Sequence, residues 1–128
     1  MGAGHGRKLV RSNVLVTGGG GRLGRALSRV GGPGVRGLSS RELDITDPAA
    51  VRSALDRLRP AVVINAAALS RVQDSDTAPE RARAVNAEAP GDIARACAER
   101  GLPLIQISTD YVFGAETLRP WRESDPVS

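Results

Sequence analysis

The stretch Gly18-Gly19-Gly20-Gly21-Arg22-Leu23-Gly24 constrains this chain more than any other. It follows Asn13-Val14-Leu15-Val16-Thr17, a short β-branched run ended by glycine, as a buried parallel strand is. It precedes residues 22–30, which read as a helix with Leu23, Ala26, Leu27 and Val30 on one face. Gly31-Gly32-Pro33-Gly34 stops that helix. Glycines at 18, 21 and 24 therefore sit where a strand turns sharply into a helix. Such a turn needs φ freedom, and bare backbone N–H groups at a helix start attract a diphosphate. A glycine in the first helical turn also lets helix and strand pack closely. A flexible glycine linker would have the same composition, but the strand before and the helix after favour nucleotide binding.

The rest of the chain repeats this alternation. Residues 35–38 form a short second strand. Asp47 is a helix N-cap and Pro48 the first helical residue, where a missing N–H costs nothing. Val51, Ala54, Leu55 and Leu58 then recur at helical spacing until Pro60. Ala61-Val62-Val63-Ile64-Asn65 is the clearest buried strand, and residues 70–77 read as a polar loop. Residues 79–100 are Ala-rich and helical in pattern, with Pro90 and Gly91 predicting a kink or two helices. After Gly101 comes a strand, Leu104-Ile105-Gln106-Ile107, and from Thr109 onward only turn chemistry around Gly114, Pro120 and Pro126. Strand and helix in strict alternation predict an α/β fold, a parallel sheet with helices on both faces. Ligands of such sheets lie beyond the carboxyl ends of the strands, where strand order reverses.

Composition narrows the function. A chain of 128 residues is one domain. With aromatics at 2%, the core is built from Val, Leu, Ile and Ala, and stacking platforms for single-stranded nucleic acid are almost absent. The net charge is +4, but the 18 basic residues are nearly all Arg and are spread along the chain, so no nucleic-acid footprint forms. The single Cys97 excludes an internal disulfide and a Cys-based zinc site. It reads as a core residue on the Ala-rich helix rather than a reactive thiol. The single His5 lies in the N-terminal stretch, which excludes a His-dependent nucleophile in the body of the chain. No metal site and no membrane partner are expected, since no apolar run approaches the ~20 residues of a membrane span. Residues 1–12 are Gly- and Arg-rich, do not resemble a secretory signal, and read as a disordered tail, which points to the cytoplasm.

The turn Val-Thr-Gly-x-x-Gly-x-Leu-Gly resembles the cofactor turn of extended short-chain dehydrogenases. Leu43-Asp44-Ile45-Thr46-Asp47, Val63-Ile64-Asn65-Ala66-Ala67-Ala68, Val85-Asn86-Ala87-Glu88-Ala89-Pro90 and Ile107-Ser108-Thr109-Asp110-Tyr111-Val112-Phe113 narrow the likeness. Together with Pro120-Trp121-Arg122-Glu123-Ser124-Asp125-Pro126 they resemble the dTDP-4-dehydrorhamnose reductase family of sugar-nucleotide enzymes. The resemblance runs from Asn13 to the end. It implies a Rossmann-type NAD(P)-binding domain over residues 13–128, incomplete at its C-terminal edge.

The resemblance also assigns roles. Gly18, Gly21, Arg22, Leu23 and Gly24 match the turn that wraps the cofactor diphosphate. Asp44 and Ile45 match the pair that holds adenine; Asp44 and Asp47 are equally typical of local capping. Ala66, Ala67 and Ala68 match the loop under the nicotinamide ribose, and Ile107 the nicotinamide side. Thr109 matches the catalytic hydroxyl that hydrogen-bonds the substrate carbonyl, and Asp110 a substrate contact. Asn65 and Asn86 have a purely structural alternative, as satisfied turn or kink residues. Ser39 stands where many relatives carry an acid for the adenosine ribose, and with Arg36 and Arg41 nearby it favours NADPH over NADH. Ala26 replaces a Glu that some relatives use in a metal-linked dimer, so that contact is not carried over.

The family's proton donor is a Tyr with a Lys four residues later. The only Tyr here is Tyr111, with no Lys four residues on, and the only Lys is Lys8. Three readings follow. The chain is the cofactor-binding portion of an NAD(P)H-dependent reductase of a nucleotide-linked 4-keto-6-deoxy sugar, cut before the Tyr-x-x-x-Lys segment and not competent alone. Alternatively it is a non-catalytic NADP-binding regulatory subunit, or an inactive truncated product. In each case Leu104 to Ile107 would leave an open apolar sheet edge that invites self-association.

Overall fold

The apolar runs that read as strands pair side by side in the computed structural model, which describes residues 13–114 and 117–127. The expected disordered tail, residues 1–12, lies outside the described residues. The strands are β1 Val14–Thr17, β2 Val35–Leu38, β3 Val62–Asn65 and β4 Leu104–Gln106. They form one parallel sheet in the order β2-β1-β3-β4. The chain runs outward to β2, then crosses back to β3, so the strand order reverses between β1 and β3. The α/β fold with a parallel sheet is as the sequence indicates.

Register sorts the side chains by face, because neighbours in register point the same way. Leu15 lies level with Arg36 and Val63, and Val63 with Leu104. This face packs on α2 (Pro48–Leu58) and α5 (Ala89–Ala98), burying Val51, Leu55, Ile93 and Cys97 against Leu15 and Val63. The opposite face carries Val16, fully buried, and Gly37. There α1 (Arg22–Gly31) lies so close that a Cβ on Gly37 would sit 2.6 Å from Ser28 Oγ. Helices thus cover both faces. Among the described residues β4 pairs only with β3, and Ile105 at this edge is 50% exposed.

Helix α2 starts as its sequence dictates. Asp47 Oδ1 accepts the N–H groups of Ala49 and Ala50 at 3.1 and 3.2 Å, with Pro48 at the first position. Arg59 ends it in the left-handed region, φ 46°, with its N–H on Leu55 O.

One expectation needs correction. Residues 70–77 are not simply loop, since α3 (Val72–Thr77) forms within them. It has no apolar period to announce it, and Thr77 Oγ1 returns a hydrogen bond to Gln73 O at 2.8 Å. The interruption expected at Pro90 and Gly91 takes the form of two α-helices joined by a widened turn. Helix α4 (Pro79–Arg83) runs through a π-helical turn, Ala84–Glu88, directly into α5. Proline has no N–H and its ring crowds the carbonyl four residues back. Widening the preceding turn, with Ala89 N–H on Ala84 O, accommodates both without a break.

Candidate functional site

The glycine turn leaves β1 toward the carboxyl edge of the sheet. Gly18 takes φ +68°, and Gly21 N–H closes on Gly18 O at 3.0 Å. A Cβ on Gly18 would lie 2.6 Å from Ala67 Cα, and one on Gly24 would overlap the Gly18 carbonyl and lie 2.6 Å from Gly19 Cα. These two glycines are demanded by packing. Gly21 is different. Its φ is −79°, it is exposed, and a Cβ there would be 3.4 Å from its nearest neighbour, Gly18 O. It caps α1 without any side-chain hydrogen bond, and the first turn carries no acidic residue. The start of α1 thus presents N–H groups and partial positive charge to whatever approaches Gly21.

A polar chain, buried at Thr17 and Asn65, holds the ends of three strands together. Thr17 Oγ1 donates to Asn65 Oδ1 at 2.5 Å, and Asn65 Nδ2 donates to Gln106 Oε1 at 2.8 Å. Asn65, fully buried, also accepts Ala67 N–H at 3.3 Å, and its carbonyl accepts Ile107 N–H at 3.1 Å. The chain fixes the departure of the loops after β3 and β4. Asn65 thus has the structural role left open for it. Thr17 and Gln106 were not singled out from sequence. Their signal is a polar residue at the last position of an otherwise apolar strand.

Two clefts open above this edge. The first, about 740 Å³, runs from Gly18, Gly20 and Gly21 past Ser39 to Asp44 and Ile45, with Ala66 to Leu69 on its other side. The second, about 600 Å³, lies between the same Ala66 to Leu69 loop and Ile107, Ser108, Thr109 and Tyr111. The shared loop is clamped from the π-helical turn, where the Asn86 amide hydrogen-bonds both N–H and C=O of Leu69. Asn86 is therefore a satisfied kink residue with a positioning role.

The expected residues distribute unevenly over these clefts. Gly18, Gly21, Ser39, Asp44, Ile45, Ala66, Ala67 and Ala68 line the first; Ala66, Ala67, Ala68, Ile107 and Thr109 line the second. Arg22, Leu23 and Gly24 form the first turn of α1 behind the cleft wall, and Asp110 lies outside the lining of the second cleft. Asp44 Oδ1 accepts both the N–H and the hydroxyl of Thr46, at 2.9 and 2.6 Å, and these bonds hold its carboxyl below the ordinary value. Helix capping falls to Asp47 instead. Thr109 Oγ1 accepts Tyr111 N–H at 3.2 Å, capping the short 3-10 turn Asp110–Val112, and lies 3.3 Å from Asp110 Oδ1.

The cationic flank expected for Ser39 does not assemble. Neither Arg36 nor Arg41 lines the cleft. Arg36 lies level with Leu15 and lines a separate cavity of about 260 Å³ with Val14 and Pro60, at the amino end of the strands. Glu42 turns back instead, its Oε2 accepting Ser39 N–H at 2.8 Å. That bond lowers the Glu42 carboxyl, with a smaller contribution from Arg36. Cys97 is buried and desolvation raises its thiol, as suits a core residue. Among the described residues no cluster of potential metal ligands occurs and no helix is long and apolar enough to cross a membrane.

Residues 12–128 match the family model described as the RmlD substrate binding domain. A dTDP-4-dehydrorhamnose reductase of Streptomyces griseus is 48% identical over 119 residues, covering 91% of this chain and 39% of that protein. The crystal structure of a dTDP-4-dehydrorhamnose reductase from Clostridium acetobutylicum superposes with a TM-score of 0.84 at 36% identity, over 90% of this chain and 42% of that one. The enzyme of the same name from Bacillus anthracis, crystallised in complex with NADP, superposes with a TM-score of 0.78 at 30% identity, over 84% of this chain and 40% of that one. The chain thus spans about two-fifths of the length of the relatives it matches.

Proposed function

The chain belongs to the RmlD substrate binding domain family, and we propose that it is the NADP(H)-binding portion of a reductase acting on a nucleotide-linked 4-keto-6-deoxy sugar. One observation carries the reading. The unsheltered start of α1 at Gly21 opens into a cleft of about 740 Å³ whose far end holds the Asp44 carboxylate. A dinucleotide has a matching polarity: its diphosphate suits helix N–H groups, and the amino group of its base suits a carboxylate acceptor. The Ala66 to Leu69 loop, which separates this cleft from the one at Thr109, then carries the nicotinamide end. Bound there, the nicotinamide supplies the hydride.

This chain's own residues supply the surroundings. The Thr17–Asn65–Gln106 chain fixes the start of the Ala66 to Leu69 loop, which would hold the nicotinamide half. The Thr109 hydroxyl, facing the second cleft, donates a hydrogen bond to the substrate carbonyl and so draws charge toward its oxygen. Proton delivery is not assigned to Tyr111, which is 85% exposed and lacks a neighbouring cation of the Tyr-x-x-x-Lys kind. The proposal is therefore cofactor binding by these residues, with turnover requiring a proton donor outside them. General acid catalysis typically contributes about 10²–10⁴-fold, so the isolated chain should reduce keto sugars at least that much more slowly than a complete enzyme.

Isothermal calorimetry with NADPH tests the site. Wild type should bind, and Gly21→Val, which places a side chain at the exposed start of α1 with Gly18 O at 3.4 Å as its nearest neighbour, should abolish measurable binding while the fold persists. Equal affinities for the two proteins would overturn the assignment.

A further inference from the structure

The first cleft has two chemically distinct ends. At Gly20 and Gly21 it opens onto the start of α1, whose first-turn N–H groups have no intrahelical acceptor and hold anions. At Asp44 it offers an ionised carboxylate, anchored through Oδ1 by Thr46, which repels phosphate and accepts from an amino group. The base of a dinucleotide therefore belongs at the Asp44 end. The walls there are aliphatic, with Leu43, Ile45 and Val85, and no aromatic ring lines the cleft. A base in this position has apolar contacts and an acceptor but no ring to stack upon.

Arg81 is the side chain of the lining with the chemistry for that role. It projects from α4, is exposed, and is the one cationic side chain among the described residues that line the cleft. No ion pair or hydrogen bond from its side chain to another described residue competes for it. Its charge reaches Asp44, where it adds a minor lowering of the carboxyl. A guanidinium is planar and weakly hydrated, and stacks on aromatic faces better than an ammonium does.

We propose that Arg81 is the stacking residue for the base of the bound dinucleotide, its guanidinium lying over the ring whose amino group faces Asp44. This rests on the dinucleotide reading of the cleft. It makes Arg81 blind to the 2′-phosphate and to the nicotinamide half.

Binding of NADPH, NADH, ADP and reduced nicotinamide mononucleotide to wild type, Arg81→Ala and Arg81→Lys separates the outcomes. Arg81 is exposed on a short helix, so both variants should keep the wild-type circular dichroism. Arg81→Ala should weaken NADPH, NADH and ADP by a similar factor of about 3- to 30-fold. The mononucleotide should be unaffected, and Arg81→Lys should recover only part of the loss. A loss confined to NADPH would mean that the guanidinium reads the 2′-phosphate, and would overturn the proposal, as would unchanged affinity in Arg81→Ala. Folded wild type that binds neither NADPH nor ADP would instead overturn the dinucleotide reading itself.

Discussion

The side-chain amide of Asn86 closes a two-bond ring with the backbone of Leu69: Leu69 N–H donates to Oδ1 at 2.9 Å, and Nδ2 donates to the Leu69 carbonyl at 3.0 Å. The residues are 17 apart in sequence. One lies in a π-helical turn and the other at the end of the loop that divides the two clefts. The widened turn and the clamp are linked, because the displacement required by Pro90 falls on the turn that presents Asn86.

Asn86→Ala should release that loop. Two partly solvated hydrogen bonds of this kind are worth about 1–2 kcal/mol in total. Urea denaturation should show a loss of that size. Hydrogen exchange of the Leu69 amide should accelerate more than that of amides in β3. Asn86→Asp keeps the acceptor and loses the donor, so it should fall between the two. An unchanged Leu69 exchange rate in Asn86→Ala would show that the loop is held by other means.

The glycines of the turn should divide into those needed by the fold and those needed by the ligand. Gly24→Ala forces a methyl onto the Gly18 carbonyl and Gly19 Cα. Overpacking at such a contact costs about 1–3 kcal/mol, so the denaturation midpoint should fall clearly. Gly21→Ala meets only an ordinary contact at 3.4 Å and has an unstrained φ of −79°. Its stability should stay within about 0.5 kcal/mol of wild type. A matched pair of denaturation curves decides the point, and equal destabilisation would erase the distinction.

Local signals made much of this architecture legible. The run from Val14 to Thr17, the glycines after it, and the Asp47-Pro48 cap each carry their own physical reason, and each forms the expected element. What was not legible depends on partners distant in sequence. The Thr17–Asn65–Gln106 chain joins residues 48 and 41 positions apart, and only strand register brings them level. Helix α3 has no apolar stripe to betray it. Arg36 is near Ser39 in sequence, but alternation along β2 places it level with Leu15, away from the cleft, while Arg81 reaches the cleft from a helix more than 40 residues later. The turn glycines could be recognised because backbone geometry dictates them; the charged lining of the cleft could not, because helix position decides it.

The clasp after Phe113 should open in acid. Arg119 donates from Nη2 to Asp125 Oδ1 at 2.7 Å and from Nη1 to Oδ2 at 2.8 Å, and Arg122 N–H adds a bond to Oδ2 at 2.8 Å. These hold the Asp125 carboxyl down at about 2, against an ordinary value of 3.8. The folded value is the lower one, so the clasp contributes fully above 3.8 and is lost as pH falls toward about 2. Trp121 lies within the clasped segment, stacked on Phe113 with ring centroids 4.8 Å apart, and is the only tryptophan in the chain. Its emission should stay constant from about pH 7 to pH 4, then shift to the red as the carboxyl protonates. Asp125→Asn removes the charge at every pH, and should show the red-shifted emission already at neutrality while the circular dichroism of the sheet and helices is retained. If the variant matches wild type across the titration, the Arg119–Asp125 pair does not hold Trp121 in place.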